Sequence, residues 1–308
     1  MRTPPDHPAA PAATPPADAA VTLRAAVWML GAVASFSTMA VAGRAVSFEL
    51  DTFEIMMYRS VVGFALLLVV GVAAGRLGEV NTRRFGAHVG RNLFHFAGQN
   101  LWFFAITVIP LAQVFALEFT SPLWVLVLSP LFLGEAMTRM RIVAALLGFA
   151  GILVVARPGA GSLDAGTLAA ATAAIGFAGS IIFTKRLTRT ASLVCILFWM
   201  TLMQTVFGLV CAGLDGDIAL PSGVSALWLA LIGLGGLTAH LCLTSALSIA
   251  PATVVTPVDF LRLPLIAVIG LLAYGEAIDA FVILGAGLIF GANYANLWVE
   301  TRGRRARG

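Results

Sequence analysis

The chain has 308 residues, of which 59% are hydrophobic and only 11% are charged, and its formal net charge is +4. Soluble domains carry roughly 25% charged residues, so this composition excludes a water-soluble globular protein and predicts a protein embedded in the lipid bilayer. The basic residues lie in short segments between apolar runs, so they indicate membrane topology rather than a nucleic-acid surface.

Ten apolar stretches are predicted to cross the membrane as helices. Residues 1–22 precede them as an Ala/Pro-rich cytoplasmic tail that we expect to be disordered, and residues 301–308 follow as a basic tail. Each stretch approaches the length that spans the hydrocarbon core. The approximate bounds are 25–46, 53–74, 92–108, 114–133, 142–156, 166–183, 193–213, 225–248, 254–274 and 280–299. A cleaved signal peptide is the alternative for the first stretch.

The sequence repeats itself. Residues 106–136 align without a gap on residues 247–277, at a shift of about 141 residues. Pro110 then meets Pro251, Glu118 meets Asp259, and the Gly-Glu-Ala of 134–136 recurs at 275–277. The two repeats, 23–158 and 164–300, contain five spans each. Because five is odd, the second repeat must enter the membrane inverted, which is an arrangement typical of secondary transporters.

Charge placement predicts the orientation of the spans. With a cytoplasmic N-terminus, about 15 of the 19 Lys and Arg residues fall on the inside. The positive-inside rule therefore favours both termini in the cytoplasm and an inner-membrane location. The predicted fold is an all-α integral membrane protein with ten transmembrane helices in two inverted five-helix repeats.

Four ionisable side chains lie inside predicted spans. A charged group in the membrane is energetically unfavourable, so each is expected to have a structural or functional role. They are Arg59, Glu118, Asp259 and Arg262. In one interpretation, Glu118 and Asp259 flank a cavity and bind a cation or a proton. In the preferred interpretation, Arg59–Glu118 and Asp259–Arg262 are ion pairs that brace the repeats.

A polar stripe marks the third span. Asn92, His95, Gln99 and Trp102 follow at helical spacing on one face, which must turn away from lipid. We predict that this face, together with His240 and Thr244 on the eighth span, binds substrate; interhelical hydrogen bonding is the alternative. Further polar side chains are candidates by position alone: Ser35, Thr38, Ser180, Thr201 and Gln204.

Prolines and glycines indicate where helices bend or pack. Four prolines lie in the fourth and ninth spans, where they can act as kinks or hinges: Pro122, Pro130, Pro257 and Pro264. Gly287 and Gly291 in the tenth span form a small-xxx-small face. This face can serve internal packing or a homodimer through the fifth and tenth spans.

Several motifs together resemble a known family. They are IPLAQVFALEFTSPLWVLVLSPLFLGE followed by GFAGILVVARPG, a second copy ending in LLAYGE, and Arg59 within MMYRSVVG. These residues resemble the EamA-type proteins of the drug/metabolite transporter superfamily. The resemblance implies that spans 1, 3, 4, 6, 8 and 9 line a central cavity, with spans 5 and 10 at the periphery. Small four-helix relatives rely on a glutamate in their first helix, and the first span here contains no acid.

The resulting functional prediction is secondary-active transport of a small polar or amphipathic metabolite. Export of an amino acid or related metabolite is the first choice, and uptake of a vitamin or other small metabolite is the alternative. A passive channel or facilitator and a non-transporting sensor or scaffold represent other classes. The sequence contains no enzyme or nucleotide-binding motif, and its three cysteines lack metal-site spacing, so we expect no catalysis, cofactor or metal. The expected partners are the small-molecule substrate and the bilayer.

Overall fold

The computed structural model describes residues 19–133, 137–157, 164–214, 216–249 and 258–305. Within these ranges the chain is helical and contains no β-strand. The helices of the first half are α1 (Ala19–Val46), α2 (Thr52–Ala73), α3 (Phe85–Val108), α4 (Leu111–Glu118), α5 (Ser121–Leu133) and α6 (Arg139–Ala156), with a short 3₁₀ helix at Leu77–Glu79. Those of the second half are α7 (Ala165–Leu187), α8 (Leu193–Ala212), α9 (Gly223–Ile249), α10 (Arg262–Tyr274) and α11 (Ala280–Arg305).

Most of these helices are long and apolar enough to cross a bilayer. In the described part of the chain, seven stretches meet this criterion: Leu23–Val46, Thr52–Ala73, Leu111–Phe132, Arg139–Ala156, Ala165–Leu187, Leu193–Ala212 and Gly223–Leu243. Arg262–Tyr274 and Ala280–Asn296 are shorter apolar helices. The predicted all-α membrane architecture is therefore confirmed, while the number of ten spans stays a prediction.

The helices pack in pairs that reflect the repeat. The most extensive contacts join α1 to α9, α3 to α7, α2 to α8 and α6 to α11. The repeat relates α1 to α7 and α3 to α9, so the α1–α9 pair is equivalent to the α7–α3 pair. It also relates α2 to α8 and α6 to α11, so in each of these two pairs a helix packs on its own counterpart. Small residues allow the close approach of α3 and α7: a Cβ added at Gly176 would lie 2.7 Å from the Cα of Gly98. The two halves therefore interdigitate as one unit.

The α6–α11 pair packs against α4 and α5 and contributes no residue to the lining of the central cavity. A Cβ added at Gly151 would lie 2.8 Å from the carbonyl oxygen of Gly285, so this glycine pair brings the two helices together. Gly287 and Gly291 have no described heavy atom within 4 Å of where a Cβ would lie. Their small-xxx-small face therefore takes no part in internal packing among the described residues, and the homodimer contact remains a prediction.

The predicted fourth span is divided in two. A turn at residues 119–120 separates α4 from α5, and Pro122 lies in the first turn of α5, where its missing N–H is tolerated. An N–H at position 122 would donate to the carbonyl of Glu118; the hydroxyl of Ser121 donates to that carbonyl instead, at 2.6 Å. The break therefore leaves this carbonyl satisfied rather than free to meet substrate.

The other three prolines occupy different positions. Pro130 lies inside α5, whereas Pro264 is in the first turn of α10. A residue with an N–H at position 264 would donate to the carbonyl of Phe260. In the structure this carbonyl instead accepts a hydrogen bond from the N–H of Leu263, at 3.2 Å. Pro257 lies outside the described residues. Pro122 and Pro264 thus mark helix starts, and a role of the prolines as hinges remains a prediction.

Candidate functional site

A cavity of about 850 Å³ lies at the centre of the described helices. Its walls come from α1, α3, α4, the start of α5, α7, α9, α10 and the segment just before α10. The lining residues are Phe36, Met39, Arg91, His95, Gln99, Trp102, Glu118, Phe119, Ser121, Pro122, Phe177, Ser180, Ile181, Thr184, Lys185, Thr188, His240, Leu243, Asp259 and Arg262. These are the helices that the family resemblance assigns to the cavity, because α7, α9 and α10 correspond to the sixth, eighth and ninth spans.

The α3 stripe forms one wall of this cavity. His95, Gln99 and Trp102 all line it, and each is buried within the chain. Arg91 lines it as well, one turn before His95, and its Nε donates to Thr184 Oγ1 at 3.3 Å. The side chains that face the cavity from α3 are therefore those at 91, 95, 99 and 102.

Asn92, which the sequence predicts to bind substrate, does not line the cavity. Its side chain is fully buried, and its Nδ2 donates to the carbonyls of His88 at 2.9 Å and Trp199 at 3.3 Å. Gln204 Nε2 donates to the Asn92 carbonyl at 2.9 Å. Asn92 lies one residue, or about 100°, from Arg91 around the helix, so it turns toward α8 rather than the cavity.

Two histidines from different repeats meet in the cavity. The rings of His95 and His240 lie edge to face with 5.9 Å between centroids. Phe36 packs against His240 at 5.8 Å, and Phe177 lies 6.3 Å from His95. Four flat rings therefore surround one region of the cavity. The side chain of Thr244, the other residue predicted on this span, lies outside the described part of the structure.

One guanidinium joins the repeat-related acids. Arg262 Nη1 donates to Glu118 Oε1 at 3.2 Å, and its Nη2 donates to Asp259 Oδ2 at 2.8 Å. Trp102 Nε1 donates to the other Glu118 oxygen at 2.8 Å. The guanidinium also lies over the rings of Phe36, Phe115 and Phe119, with its central carbon 4.8, 5.6 and 5.0 Å from their centroids.

The Arg59–Glu118 ion pair predicted from the sequence is wrong. Arg262 occupies the position beside Glu118, and Arg59 contacts no acid in the described part of the chain. Among the described residues, the hydrogen-bond partner of Arg59 is the weak acceptor Met56 Sδ, 3.8 Å from its Nη1. The helix α2 packs on α8 and α9, which keeps Arg59 away from α4. The expected Asp259–Arg262 contact is present.

A second ion pair connects the end of α1 to the segment after α10. Arg44 pairs with Glu276 and donates to the carbonyls of Ile106 and Ile109. The other Glu276 oxygen accepts from the backbone N–H of Leu111, at 2.9 Å. These contacts tie α1, α3 and α4 to the segment after α10.

At the opposite end the cavity reaches the surface. Lys185 and Thr188, at the end of α7, line the cavity and are exposed. Arg91, near the start of α3, lines the same end. The cavity is therefore open beside Lys185, and neither Arg44 nor Glu276 lines it.

Sequence reasoning missed some of these residues. In the sequence, Arg91 resembles the other basic residues that indicate membrane topology. It nevertheless lies four residues before His95, so it extends the polar stripe by one helical turn. Glu276 belongs to the repeated Gly-Glu-Ala motif, which could have identified it as a residue with a role in both halves. Phe36 and Phe177 carried no such signal, since apolar aromatic residues are common throughout these spans.

The lining combines aromatic walls with a few polar groups. Three cationic side chains (Arg91, Lys185 and Arg262) outnumber two acidic ones (Glu118 and Asp259). Pockets for small molecules are typically mostly apolar, with few orienting polar groups, and measure about 300–1,000 Å³. This arrangement suits a flat molecule with hydrogen-bonding edges and no net positive charge.

Comparison with known proteins gives a consistent family. The EamA-like transporter family matches residues 23–157 and 164–298, one match in each half. A "Riboflavin transporter" of Brucella anthropi is 32% identical over 250 residues, covering 78% of this chain and 85% of the relative. A "Riboflavin transporter" of Vibrio cholerae is 30% identical over 291 residues, covering 92% and 97%.

Two further similarities are more distant. An "S-adenosylmethionine uptake transporter" of Rickettsia felis is 26% identical over 275 residues, covering 89% of this chain and 92% of the relative. A solved crystal structure shares the fold with a TM-score of 0.60 at 20% identity, covering 90% of this chain and 98% of its own.

Proposed function

Because the chain belongs to the EamA-like transporter family, we propose that it takes up a flat heteroaromatic metabolite of the riboflavin class through the central cavity. The protein is a multi-pass membrane transporter and not an enzyme. Amino-acid export, the first choice from the sequence, has no support among the named relatives. Two of them are named for riboflavin and one for uptake of S-adenosylmethionine, which favours the vitamin or metabolite uptake alternative.

The observation that carries this proposal is the ring of aromatic groups in the cavity. Phe36, Phe177, His95 and His240 offer several faces on which a tricyclic ring can stack. Gln99 lies one turn beyond His95 on the same wall and can bond to the imide edge of an isoalloxazine ring. The remaining volume accommodates a polyhydroxylated chain.

Charge argues against S-adenosylmethionine as the preferred substrate. Its sulfonium and amino groups give the molecule a net positive charge, whereas the cavity has an excess of cationic side chains. The two acids that could bind a cation already share Arg262. A cationic substrate would have to displace this guanidinium, while neutral riboflavin would not.

The proposed topology extends the established helical architecture. The seven stretches long enough to span, together with α3 and the two shorter apolar helices α10 and α11, give ten spans in two inverted repeats. The positive-inside rule supports cytoplasmic termini in the inner membrane of a bacterial cell. In this orientation the mouth beside Lys185 faces the cytoplasm, so the described conformation is inward-open and the Arg44–Glu276 pair closes the outer side.

Counterflow into proteoliposomes tests the function. Liposomes loaded with unlabelled riboflavin should accumulate labelled riboflavin transiently, and external S-adenosylmethionine or an amino-acid mixture should compete poorly. Trp102→Ala should weaken riboflavin counterflow, whereas Trp28→Ala should not, because Trp28 is 40% exposed on α1 and does not line the cavity. Preferential counterflow of S-adenosylmethionine or amino acids would replace the proposed substrate. Flux without saturation would indicate a channel, and absence of all flux would indicate a scaffold or sensor.

A further inference from the structure

Arg59 is a buried cation in α2 that does not line the central cavity. Only 7% of its surface is exposed, and it contacts no acid in the described part of the chain. A guanidinium remains protonated in proteins, so this side chain carries its charge into the apolar part of the fold. Burying a charge without a partner is strongly unfavourable, and the protein must supply a compensating group.

A second, small cavity lies beside Arg59. It measures about 20 Å³ and lies between α2, α8 and α9. Its lining residues are Arg59, Ser60, Gly63, Met200, Thr201, Gln204, Gly233, Gly236 and Leu237. A polar cavity of roughly 10–15 Å³ holds one water molecule. This cavity therefore has room for one water molecule or one monatomic ion, and it is too small for phosphate, sulfate or a metabolite that carries a carboxylate.

Hydrogen-bond donors at this cavity lack acceptors. The Ser60 hydroxyl is buried and has no described partner, although serines in helices commonly donate to a carbonyl of the preceding turn. Among the described residues, the guanidinium of Arg59 has the Met56 sulfur as its acceptor. One acceptor, Gln204 Oε1, is also unpaired in the described structure, while the Gln204 amide nitrogen donates to Asn92. The Gln204 oxygen is a neutral acceptor, so it does not balance the positive charge of Arg59.

Glycines keep α9 close to this cation. A Cβ added at Gly236 would lie 3.5 Å from Arg59 Nη2, and one at Gly233 would lie 3.0 Å from the Arg59 carbonyl oxygen. Backbone rather than side chain thus faces the guanidinium from α9, and neither glycine brings an anionic group. On the side of α3, Arg91 is a second cation whose charge acts on that of Arg59.

From the buried guanidinium with no acidic partner among the described residues, the unpaired Ser60 hydroxyl and the size of the small cavity, we propose that Arg59 and Ser60 bind a monatomic anion of the chloride class between α2, α8 and α9. The anion compensates the charge of Arg59 and accepts hydrogen bonds that no described protein group accepts. It links the α2 helix of the first repeat to the α8 and α9 helices of the second. Chloride is therefore a structural ligand of the folded transporter, and the site is separate from the central cavity.

Thermal unfolding of the purified protein tests this site without any transport substrate. A ligand that binds only the folded state raises the unfolding midpoint as its concentration increases. At constant ionic strength, replacing gluconate by chloride or bromide should raise the midpoint along a saturating curve, whereas replacement by sulfate should not. Arg59→Met should abolish the chloride response. Arg24→Met is the matched control, because Arg24 is exposed on α1.

Ser60→Ala provides a second variant if Arg59→Met does not fold. This small change removes one donor and should shift the half-saturating chloride concentration upward several-fold. Crystals grown in bromide should show an anomalous peak between the Arg59 guanidinium and Ser60 Oγ. An equal response to chloride, gluconate and sulfate overturns the proposal, as does an unchanged chloride curve in Ser60→Ala. A water molecule without anomalous signal at this position also overturns it. Riboflavin transport can fail independently of these outcomes.

Discussion

Arg262 and Glu118 form an ion pair across the boundary between the two repeats, with 3.2 Å between Nη1 and Oε1. Their side chains are 7% and 15% exposed, so the pair is largely shielded from solvent. Asp259, the repeat counterpart of Glu118, contacts the same guanidinium. The pair therefore holds α4 against α10 at the wall of the cavity.

We expect Arg262→Gln to be more damaging than Glu118→Gln. Losing Arg262 leaves two acids without their partner, and breaking a buried pair costs roughly 3–5 kcal/mol. Losing Glu118 leaves Arg262 with Asp259. A double-mutant cycle on thermal unfolding in detergent should show coupling between positions 118 and 262, and additive effects for positions 59 and 118. Coupling between Arg59 and Glu118 instead would contradict the described pairing.

The α3 stripe should divide into two kinds of residue. His95→Ala, Gln99→Ala and Trp102→Ala should raise the half-saturation concentration for substrate with little change in folded yield, since these side chains line the cavity. Aromatic contact contributes on the order of 1 kcal/mol, so the Trp102 effect should be several-fold. Asn92→Ala should instead lower folded yield, because Asn92 bonds to α8. Wild-type transport by all three cavity variants would assign the stripe to helix packing.

Trp102→Phe isolates one hydrogen bond in the site. The substitution keeps an aromatic ring but removes the Nε1–H that donates to Glu118 at 2.8 Å. Substrate affinity should fall less than in Trp102→Ala if stacking dominates. Equal losses in the two variants would show that orientation of Glu118, rather than ring contact, is what Trp102 supplies. Counterflow at a series of riboflavin concentrations separates these results.

The Arg44–Glu276 pair should control access from the outer side. Glu276→Ala removes the partner of Arg44 and the acceptor of the Leu111 N–H, so the outer end should open more often. A cysteine at Met39, in a background lacking Cys195, Cys211 and Cys242, should then react faster with a membrane-impermeant reagent added outside. Glu79→Ala, which breaks the surface pair with Arg76, is the control. Unchanged labelling would show that this pair does not close the outer end.

Reporter fusions test the proposed orientation. A fusion after Asp217 should read as periplasmic, and one after Arg302 as cytoplasmic, because the basic segments lie on the cytoplasmic side. A cysteine at Thr188 should be labelled only from the cytoplasmic side, since this residue lines the open mouth of the cavity. A periplasmic C-terminus would exclude the inverted repeat of five plus five spans.

The sequence by itself determined the class of the protein, the helical segments and the repeat. These follow from local properties: runs of apolar residues, the distribution of arginines and the match between 106–136 and 247–277. The sequence also placed His95, Gln99 and Trp102 on one face, because helical spacing alone sets their common direction. The contact between Asp259 and Arg262 was predictable for the same reason, as residues three apart on a helix are neighbours.

Only the tertiary structure decided which arginine pairs with Glu118. Arg59 and Arg262 both lie within spans, and their distance from Glu118 depends on how each helix is rotated against its neighbours. The structure turns Arg262 toward Glu118 and leaves Arg59 beside a small separate cavity. In the structure Arg91 lines the cavity and Asn92 contacts α8, although the two residues are adjacent in sequence. A helical turn places adjacent residues about 100° apart, so the boundary between a lining and a packing face is set by the helices on either side.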